Sequence, residues 1–397
     1  MKMNMHVVFM GNFLYPNGMA ETKRIQNAID YLAGEQTATV QVLLLRQSHA
    51  GRDDATLNGI HRGTPYRTIG HDVGLNWHLP IAITRFFFSG VKILAGARRR
   101  GCKNVLYVSM DPNIENLAFI VFAKLLGYKI IFDVTEDYYY VGRNAHLASR
   151  IKQWTSTFLS KRIGLLADAV LVISSYLQEK FEAISHGRFP VRLLPISVDT
   201  GKVYATSNAF HHPLRLLYAG SYGDKDPVEM LIDAVESLCA EGHDLELTMA
   251  GRGLPSRMAQ IAEKISRSRY KDRMRYLGYL SDEKYFQLLG ECDVPCMIRI
   301  PSRYAHAGFP FKLGEYLATG KPTVASRVGD VGVFLEDQVS AFLVEPGSTE
   351  AIIKALRFVI NSPECARSVG ERGRKVAEQY FDAKRVGARL VEVMERL

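Results

Sequence analysis

His306-Ala-Gly-Phe-Pro-Phe-Lys-Leu-Gly-Glu-Tyr-Leu-Ala-Thr-Gly-Lys-Pro-Thr-Val-Ala-Ser326 reads as a loop, a short helix and a buried strand. Pro310 suits a first helical position, where its fixed φ helps and its missing N–H costs nothing, and Gly320 suits the left-handed residue that ends a helix. The spacing predicts a helix over 310–319. Leu313, Tyr316 and Leu317 then make an apolar stripe, while Lys312 and Glu315, three apart, share a polar side left free to bind. Ahead lies Ala307-Gly308-Phe309, where glycine lets backbone approach a ligand, beside a helix start whose unpaired N–H groups attract anions. Phosphate on the helix start and ribose hydroxyls on Glu315 describe a nucleotide site. Read alone, the same residues also fit an ordinary amphipathic helix before a core strand.

The run Gly308-Phe-Pro-Phe-Lys-Leu-Gly-Glu-Tyr-Leu-Ala-Thr-Gly-Lys-Pro322 closely resembles the donor-site signature of family 4 glycosyltransferases, retaining enzymes of the GT-B fold. In that family the signature holds two glutamates separated by seven residues. Glu315 matches the second, which grips the donor ribose, and Ala307 stands where the first would be. The resemblance implies an α/β chain with two Rossmann-like, doubly wound parallel-sheet domains facing a central cleft. An acceptor-binding domain would cover 1–205, joined by a C-terminal helix at about 380–397 that crosses back, and a nucleotide-sugar domain would cover 206–379. Lys312 and Glu315 would be catalytic, with Gly308, Phe309 and Pro310 in donor contact.

Composition agrees with two domains. The chain has 397 residues, 47% of them hydrophobic, and single cores rarely exceed about 250 residues. The formal charge of +9 fits nucleic acid, an anionic membrane surface or phosphorylated substrates. With no helix-turn-helix, zinc-finger spacing or RNA-binding signature, nucleic acid is set aside and nucleotide sugars and membrane lipid remain. Cys102, Cys239, Cys292, Cys296 and Cys365 are scattered, odd in number and preceded by no signal peptide, so reduced thiols in a cytoplasm are expected. Cys292 and Cys296 have no histidine or second cysteine pair beside them, and metal binding is not expected there. The longest apolar run, 114–126, carries Lys124 and is shorter than the roughly 20 residues a membrane span needs.

His6-Val-Val-Phe-Met-Gly11 reads as a buried parallel strand, followed by a loop with Gly18 and a helix to about Gly34. The loop resembles the family's first loop, which implies donor contact at Gly18 and acceptor contact at Glu21 and Arg24; without the resemblance Gly18 is equally a turn. Strands expected at 40–45, 105–108, 129–133, 169–173 and 192–195 alternate with helices, as in a parallel sheet. The loop after Phe132 places Asp133, Glu136 and Asp137 at a strand's C-terminal end, where they bind acceptor hydroxyls or cap the next helix. Residues 79–101, apolar and aromatic with basic ends, and 151–163 read as interfacial membrane helices or as crossover helices packed on the sheet.

A polar stretch with glycine and proline, 197–213, marks the domain boundary near 200–212. New strands are expected at 214–219, 245–250, 274–277, 293–298, 322–326 and 341–344. Tyr218-Ala-Gly-Ser-Tyr-Gly-Asp-Lys225 places two glycines and an ammonium just beyond a strand, where a phosphate or a plain surface turn fits. The loop resembles the family's diphosphate-binding loop, which implies donor contact at Gly220, Ser221 and Gly223 and a catalytic Lys225. Ser221 stands where the family often has arginine. Gly251-Arg-Gly253 half-matches a dinucleotide fingerprint but lacks its third small residue and its acidic partner, which argues against a nicotinamide enzyme. The family's base pocket falls on Gly278 and Tyr279, and Arg299 ends a strand aimed at the same site. A terminal amphipathic helix is expected from about Arg374.

The resemblance implies a hexosyl transfer from a nucleotide-diphosphate sugar to a glycan or lipid-linked acceptor in cell-surface polysaccharide assembly, such as capsule or lipopolysaccharide, at the inner face of a membrane. With side-chain cations to receive the leaving group, neither a metal nor another cofactor is expected. Ala307 and the absent loop arginine leave room for a non-catalytic nucleotide-sugar-binding subunit. An inverting transferase would need a base from 133–137.

Overall fold

The computed structural model describes residues 5–18, 20–47, 58–71, 79–109, 112–113, 115–137, 147–202, 209–223 and 225–397. The chain divides into two compact units, Met1–Pro195 with Ala383–Leu397, and Ile196–Asp382. The boundary therefore falls ten residues before the expected 205/206. Ile196 and Val198 explain this: both are buried and lie where a Cβ on Gly314 would meet them, and the Val198 N–H donates to the Phe381 carbonyl at 2.8 Å. Much of the polar stretch that suggested the later boundary, 203–208, lies outside the described residues.

The strands of the first unit are β1 (Met5–Gly11), β2 (Ala38–Gln47), β3 (Gly59–His61), β4 (Thr64–His71), β5 (Lys103–Val108), β6 (Lys129–Val134), β7 (Ala169–Val172) and β8 (Val191–Leu193). They form one sheet in the order β3-β4-β2-β1-β5-β6-β7-β8, parallel except for the β3–β4 hairpin. Continuous apolar runs such as Val7-Val8-Phe9 and Ile130-Ile131-Phe132 are buried throughout, as a sheet covered on both faces requires. The hairpin was not expected, because its segments are short and one begins beside an exposed Ile60.

The second unit holds β9 (Leu214–Ser221), β10 (Leu245–Arg252), β11 (Met274–Tyr276), β12 (Val294–Met297), β13 (Val324–Ser326) and β14 (Phe342–Val344). Their order is β11-β10-β9-β12-β13-β14, all parallel. The chain runs outward from β9 through β10 to β11, then returns to β12 on the other side of β9. That reversal opens a crevice at the carboxyl ends of β9 and β12, the position where open α/β sheets hold ligands. In the first unit the same reversal lies between β1 and β5.

The expected terminal helix is two. Pro363–Val376 ends in a wider turn, Ala377–Phe381, and a new helix spans Ala383–Glu395. The break sits at Asp382, which bridges to Val198 and accepts the Thr200 hydroxyl at 2.6 Å. The last helix buries Val386, Leu390 and Met394 in the first unit's core. A Cβ on Gly387 would lie 2.3 Å from the Tyr31 ring, so only glycine lets this helix lie flat on Ala20–Gly34. Lys103 caps its end, donating to the Met394 and Glu395 carbonyls at 3.1 and 2.9 Å.

Residues 79–97 form one helix, and among its described side chains Phe86 and Phe87 pack on Phe119 of the helix Leu117–Leu125. Among the described residues no helix is long and apolar enough to cross a membrane. Leu390→Ala is expected to destabilise the protein by about 2–5 kcal/mol, the cost of a large-to-small change in a filled core. Denaturant unfolding measures it, and a change near zero would mean the last helix is not part of this core.

Candidate functional site

The helix of the opening stretch spans Phe311–Ala318, with Pro310 as its N-cap and Gly320 at φ +74° just past its end. Leu313, Tyr316 and Leu317 are fully buried. The Tyr316 hydroxyl accepts from the Ala219 N–H at 2.9 Å and donates to the Ala219 carbonyl at 3.0 Å, tying the helix to the end of β9. The polar side is not free, as the spacing implied, but turned into the crevice. The Lys312 side chain is 11% exposed, and its Nζ donates to the Tyr218 hydroxyl at 3.2 Å while lying 4.2 Å above the Tyr218 ring. Glu315 is 5% exposed and accepts the Tyr285 hydroxyl at 2.6 Å. A carboxylate with one oxygen so engaged keeps further acceptor capacity for ligand hydroxyls.

The loop after β9 brings charge to this helix. Asp226 is fully buried; its Oδ1 lies 3.3 Å from Arg299 Nε and 4.0 Å from Lys312 Nζ, and its Oδ2 accepts from Ser221 Oγ at 3.3 Å. Arg299 follows β12, anchored by its N–H on Ser326 Oγ at 3.0 Å. Lys225 is half-buried, and its carbonyl accepts from Ile300 N at 3.0 Å. Burial pulls Lys312 down to about 8; Asp226 opposes the fall, while Arg299 and Lys225 add to it. The result is a cationic floor at the carboxyl ends of β9 and β12, suited to a polyanion.

Glycines clear the approach. A Cβ on Gly220 would stand 2.5 Å from Lys312 Nζ, and one on Gly251, at φ +125°, would stand 1.8 Å from the Gly220 carbonyl oxygen. The half-matched Gly251-Arg-Gly253 run thus serves close packing of strand ends. Gly251 N donates to the Gly278 carbonyl at 2.8 Å. Beside it Tyr279 is 60% exposed, with the Arg252 guanidinium 5.1 Å from its ring. Gly308 is half-buried and Gly223 closes the turn through the Asp226 N–H. Phe309, expected at the donor, packs instead on Phe334 and Phe381 at 5.5 and 5.3 Å. It braces the loop from the core, since the helix start leaves it on the apolar side.

In the first unit the acceptor candidates separate. Arg24 is buried and grips Asp133 with Nε at 2.8 Å and Nη2 at 2.9 Å, while also donating to the Pro195 and Leu194 carbonyls. The Tyr107 hydroxyl adds a 2.5 Å bond to Asp133. The two buried charges hold each other, and through them the first helix is locked to β5, β6 and the chain just after β8. Asp137 is likewise taken, by Lys180 at 3.0 Å and Tyr176 at 3.2 Å. Glu21 stays near the surface and accepts Ser109 Oγ at 2.5 Å; enclosure of its carboxyl, with Glu136 and Asp133 nearby and against the Ser109 bond, lifts it to about 7. Glu136 is half-buried. Gly18 has no room for a Cβ, which would lie 1.9 Å from Thr22 Oγ1, so its need for glycine is internal. Residues 138–140 of the same aromatic loop lie outside the described residues.

Asp226, Tyr218 and Tyr285 were not singled out from sequence, and Tyr316 was read only as part of the apolar stripe. Asp224-Lys-Asp226 also has the Asp-x-Asp spacing of a metal motif, which the expectation of no metal passes over. Asp226 is committed to Arg299, and Asp224 lies outside the described residues. Among the described residues no three His, Cys, Asp or Glu side chains gather at metal-binding distance, and all five cysteines are free thiols.

Two parallel-sheet α/β units, each with ligand-holding strand ends, are the architecture of the GT-B fold. Residues 213–362 match the family Glycosyl transferases group 1. The amylovoran biosynthesis glycosyltransferase AmsK of Erwinia amylovora is 25% identical over 235 residues, 58% of this chain and 56% of the relative. The MMP alpha-(1->4)-mannosyltransferase of Mycolicibacterium hassiacum is 30% identical over 207 residues, 52% and 48% of the two chains. The chain thus spans about half the length of these curated relatives. Anabaena Alr3699/HepE, solved in complex with UDP, matches 98% of this chain and 100% of its own at a TM-score of 0.72 and 15% identity. Sucrose-phosphate synthase from Thermosynechococcus elongatus matches 99% and 98% at 0.74 and 15%. At such identities the likeness is one of fold.

Arg24→Ala and Asp133→Ala are each expected to destabilise the protein by about 3–5 kcal/mol in denaturant unfolding, because each strands a buried charge. A loss under about 1 kcal/mol would return the pair to a ligand-binding role.

Proposed function

We propose that the chain is a glycosyltransferase that moves a hexosyl unit from a nucleotide-diphosphate sugar to a glycan or lipid-linked acceptor in cell-surface polysaccharide assembly. The observation that carries the proposal is the convergence of Lys312 and Arg299 on one buried crevice next to the Glu315 carboxylate. The cations, with Lys225, receive the diphosphate, Glu315 takes the ribose hydroxyls, and backbone around Gly278 and Tyr279 flanks the base. UDP in the Alr3699/HepE structure supports a nucleotide of this class, and the names of the relatives support sugar transfer.

The proposed reaction retains the anomeric configuration. The bond from the anomeric carbon to the diphosphate oxygen breaks as the acceptor oxygen bonds to that carbon from the same face, and the acceptor proton passes to the departing phosphate. Preorganised cations that meet charge only as it develops are the main source of acceleration. An inverting reaction needs a free carboxylate base, and the engagement of Asp133 and Asp137 counts against it. Lys225, Lys312 and Arg299 supply the charge that a divalent ion otherwise would, so we propose metal-independent turnover.

The proposed place of work is the cytoplasmic face of an anionic membrane. Support comes from the charge of +9 and from Trp154, 67% exposed, stacked on Phe158 beneath Arg162. An exposed aromatic pair with a cation is the composition of a membrane interface.

Lys225→Ala is expected to lower turnover at least tenfold, about 1.4 kcal/mol of transition-state stabilisation, in an assay with the sugar nucleotide found by thermal-shift screening. Unchanged turnover would remove Lys225 from the catalytic machinery. Dialysis against EDTA should leave the rate intact, and a rate restored only by added magnesium or manganese would instead assign Asp224-Lys-Asp226 to a metal. Product read by NMR should keep the donor's anomeric configuration; inversion would overturn the proposed course.

A further inference from the structure

We propose that Asp226 is the positioning residue of the anion site: its buried carboxylate holds Arg299 and Lys312 together at the strand ends as one receiver for the diphosphate. The inference rests on the nucleotide-sugar reading above. Three cations, Arg299, Lys312 and Lys225, are brought to one crevice, and side by side in a buried place they repel one another. Asp226 is fully buried, and a carboxylate in that position is tolerated only when paired. Its two oxygens divide the work. Oδ1 faces Arg299 Nε at 3.3 Å and Lys312 Nζ at 4.0 Å, while Oδ2 is held by Ser221 Oγ at 3.3 Å. Its own backbone is fixed as well, N–H to the Gly223 carbonyl at 2.9 Å and carbonyl to the Val228 N–H at 2.9 Å.

The groups described around Lys312 decide what this arrangement does. Tyr218 offers a hydroxyl and a ring face, and burial keeps that phenol neutral by raising its pKa far above the usual value. Arg299 and Lys225 add positive charge, and Asp226 opposes it. On the helix of Lys312 itself, Glu315 is engaged by Tyr285. Loss of the Asp226 charge would leave a buried ammonium among cations, and such a group gives up its proton. The sign follows directly. Lys312 is charged below about 8, so affinity for an anion is full there and declines as pH rises through that value. Without Asp226 the decline begins at lower pH.

The test is calorimetric titration of UDP, GDP and dTDP into wild type and Asp226→Asn in EDTA, between about pH 7 and 9.5, above the last phosphate ionisation near 6. Wild type should bind at least one of them with an alkaline midpoint near 8. Asp226→Asn should move that midpoint down by about one pH unit or more, the shift expected when an opposite charge about 4 Å away is removed. Asp226→Glu should restore it, and in a Lys312→Arg background, where the cation never deprotonates, Asp226→Asn should move nothing. Asp226→Ser makes the same comparison should the asparagine chain fail to fold. Equal loss of affinity at every pH with an unmoved midpoint would overturn the proposal while leaving the nucleotide reading standing. Absence of binding by wild type would overturn both.

Discussion

The hydroxyl of Tyr316 satisfies both backbone polar groups of Ala219, and the crevice depends on that double attachment. Ala219 lies near the carboxyl end of β9, still paired with β10 but past Leu217, where the ladder to β12 ends. A single phenol replaces the missing strand and fixes the helix Phe311–Ala318 in angle and height. From that placement follow the inward course of Lys312, the reach of Glu315 to Tyr285, and the need for Gly220, which leaves the lysine end its space. Buried backbone groups must find partners, and here the partner is the residue that also aligns the site.

Order in the second unit's sheet does the rest. Because β12 returns to lie beside β9, the loops that leave these two strands run next to each other, joined by the Ile300 N–H on the Lys225 carbonyl, and Lys225 and Arg299 reach the same crevice. Gly251 tightens the arrangement, since its missing Cβ lets β10 end against the Gly220 carbonyl. The first unit applies the same geometry to a different end. At its β1–β5 reversal Glu21 accepts Ser109 and Glu115 accepts Asn12, while Arg24 and Asp133 are buried and paired with each other.

Much of this was legible in the amino-acid order. Apolar runs such as Leu216-Leu-Tyr-Ala and Ile130-Ile-Phe announce buried parallel strands, and Pro310 and Gly320 bracket the helix to within a residue. Lys312 and Glu315 could be named from their shared polar side of a predicted helix, and Arg299 from its place at a strand end. What escaped was whatever depends on a partner distant in sequence. Arg24 and Asp133 are 109 residues apart, and nothing local distinguishes a buried pair from two groups awaiting a ligand. Asp226 meets Arg299 across 73 residues, and the tyrosines that hold Lys312, Glu315 and Ala219 look like ordinary core. The domain boundary was missed for the same reason: Ile196 just precedes the polar stretch and Val198 lies within it, yet both pack against a residue over a hundred positions later.

The helix Ala383–Glu395 supplies Val386, Leu390 and Met394 to a core otherwise built from residues before Pro195. On the ribosome those side chains emerge only after the whole of 196–382. The earlier-made half therefore waits, with part of its apolar face uncovered, while the later-made half already has every strand and core residue it needs. Synthesis order and completion order are reversed in this chain.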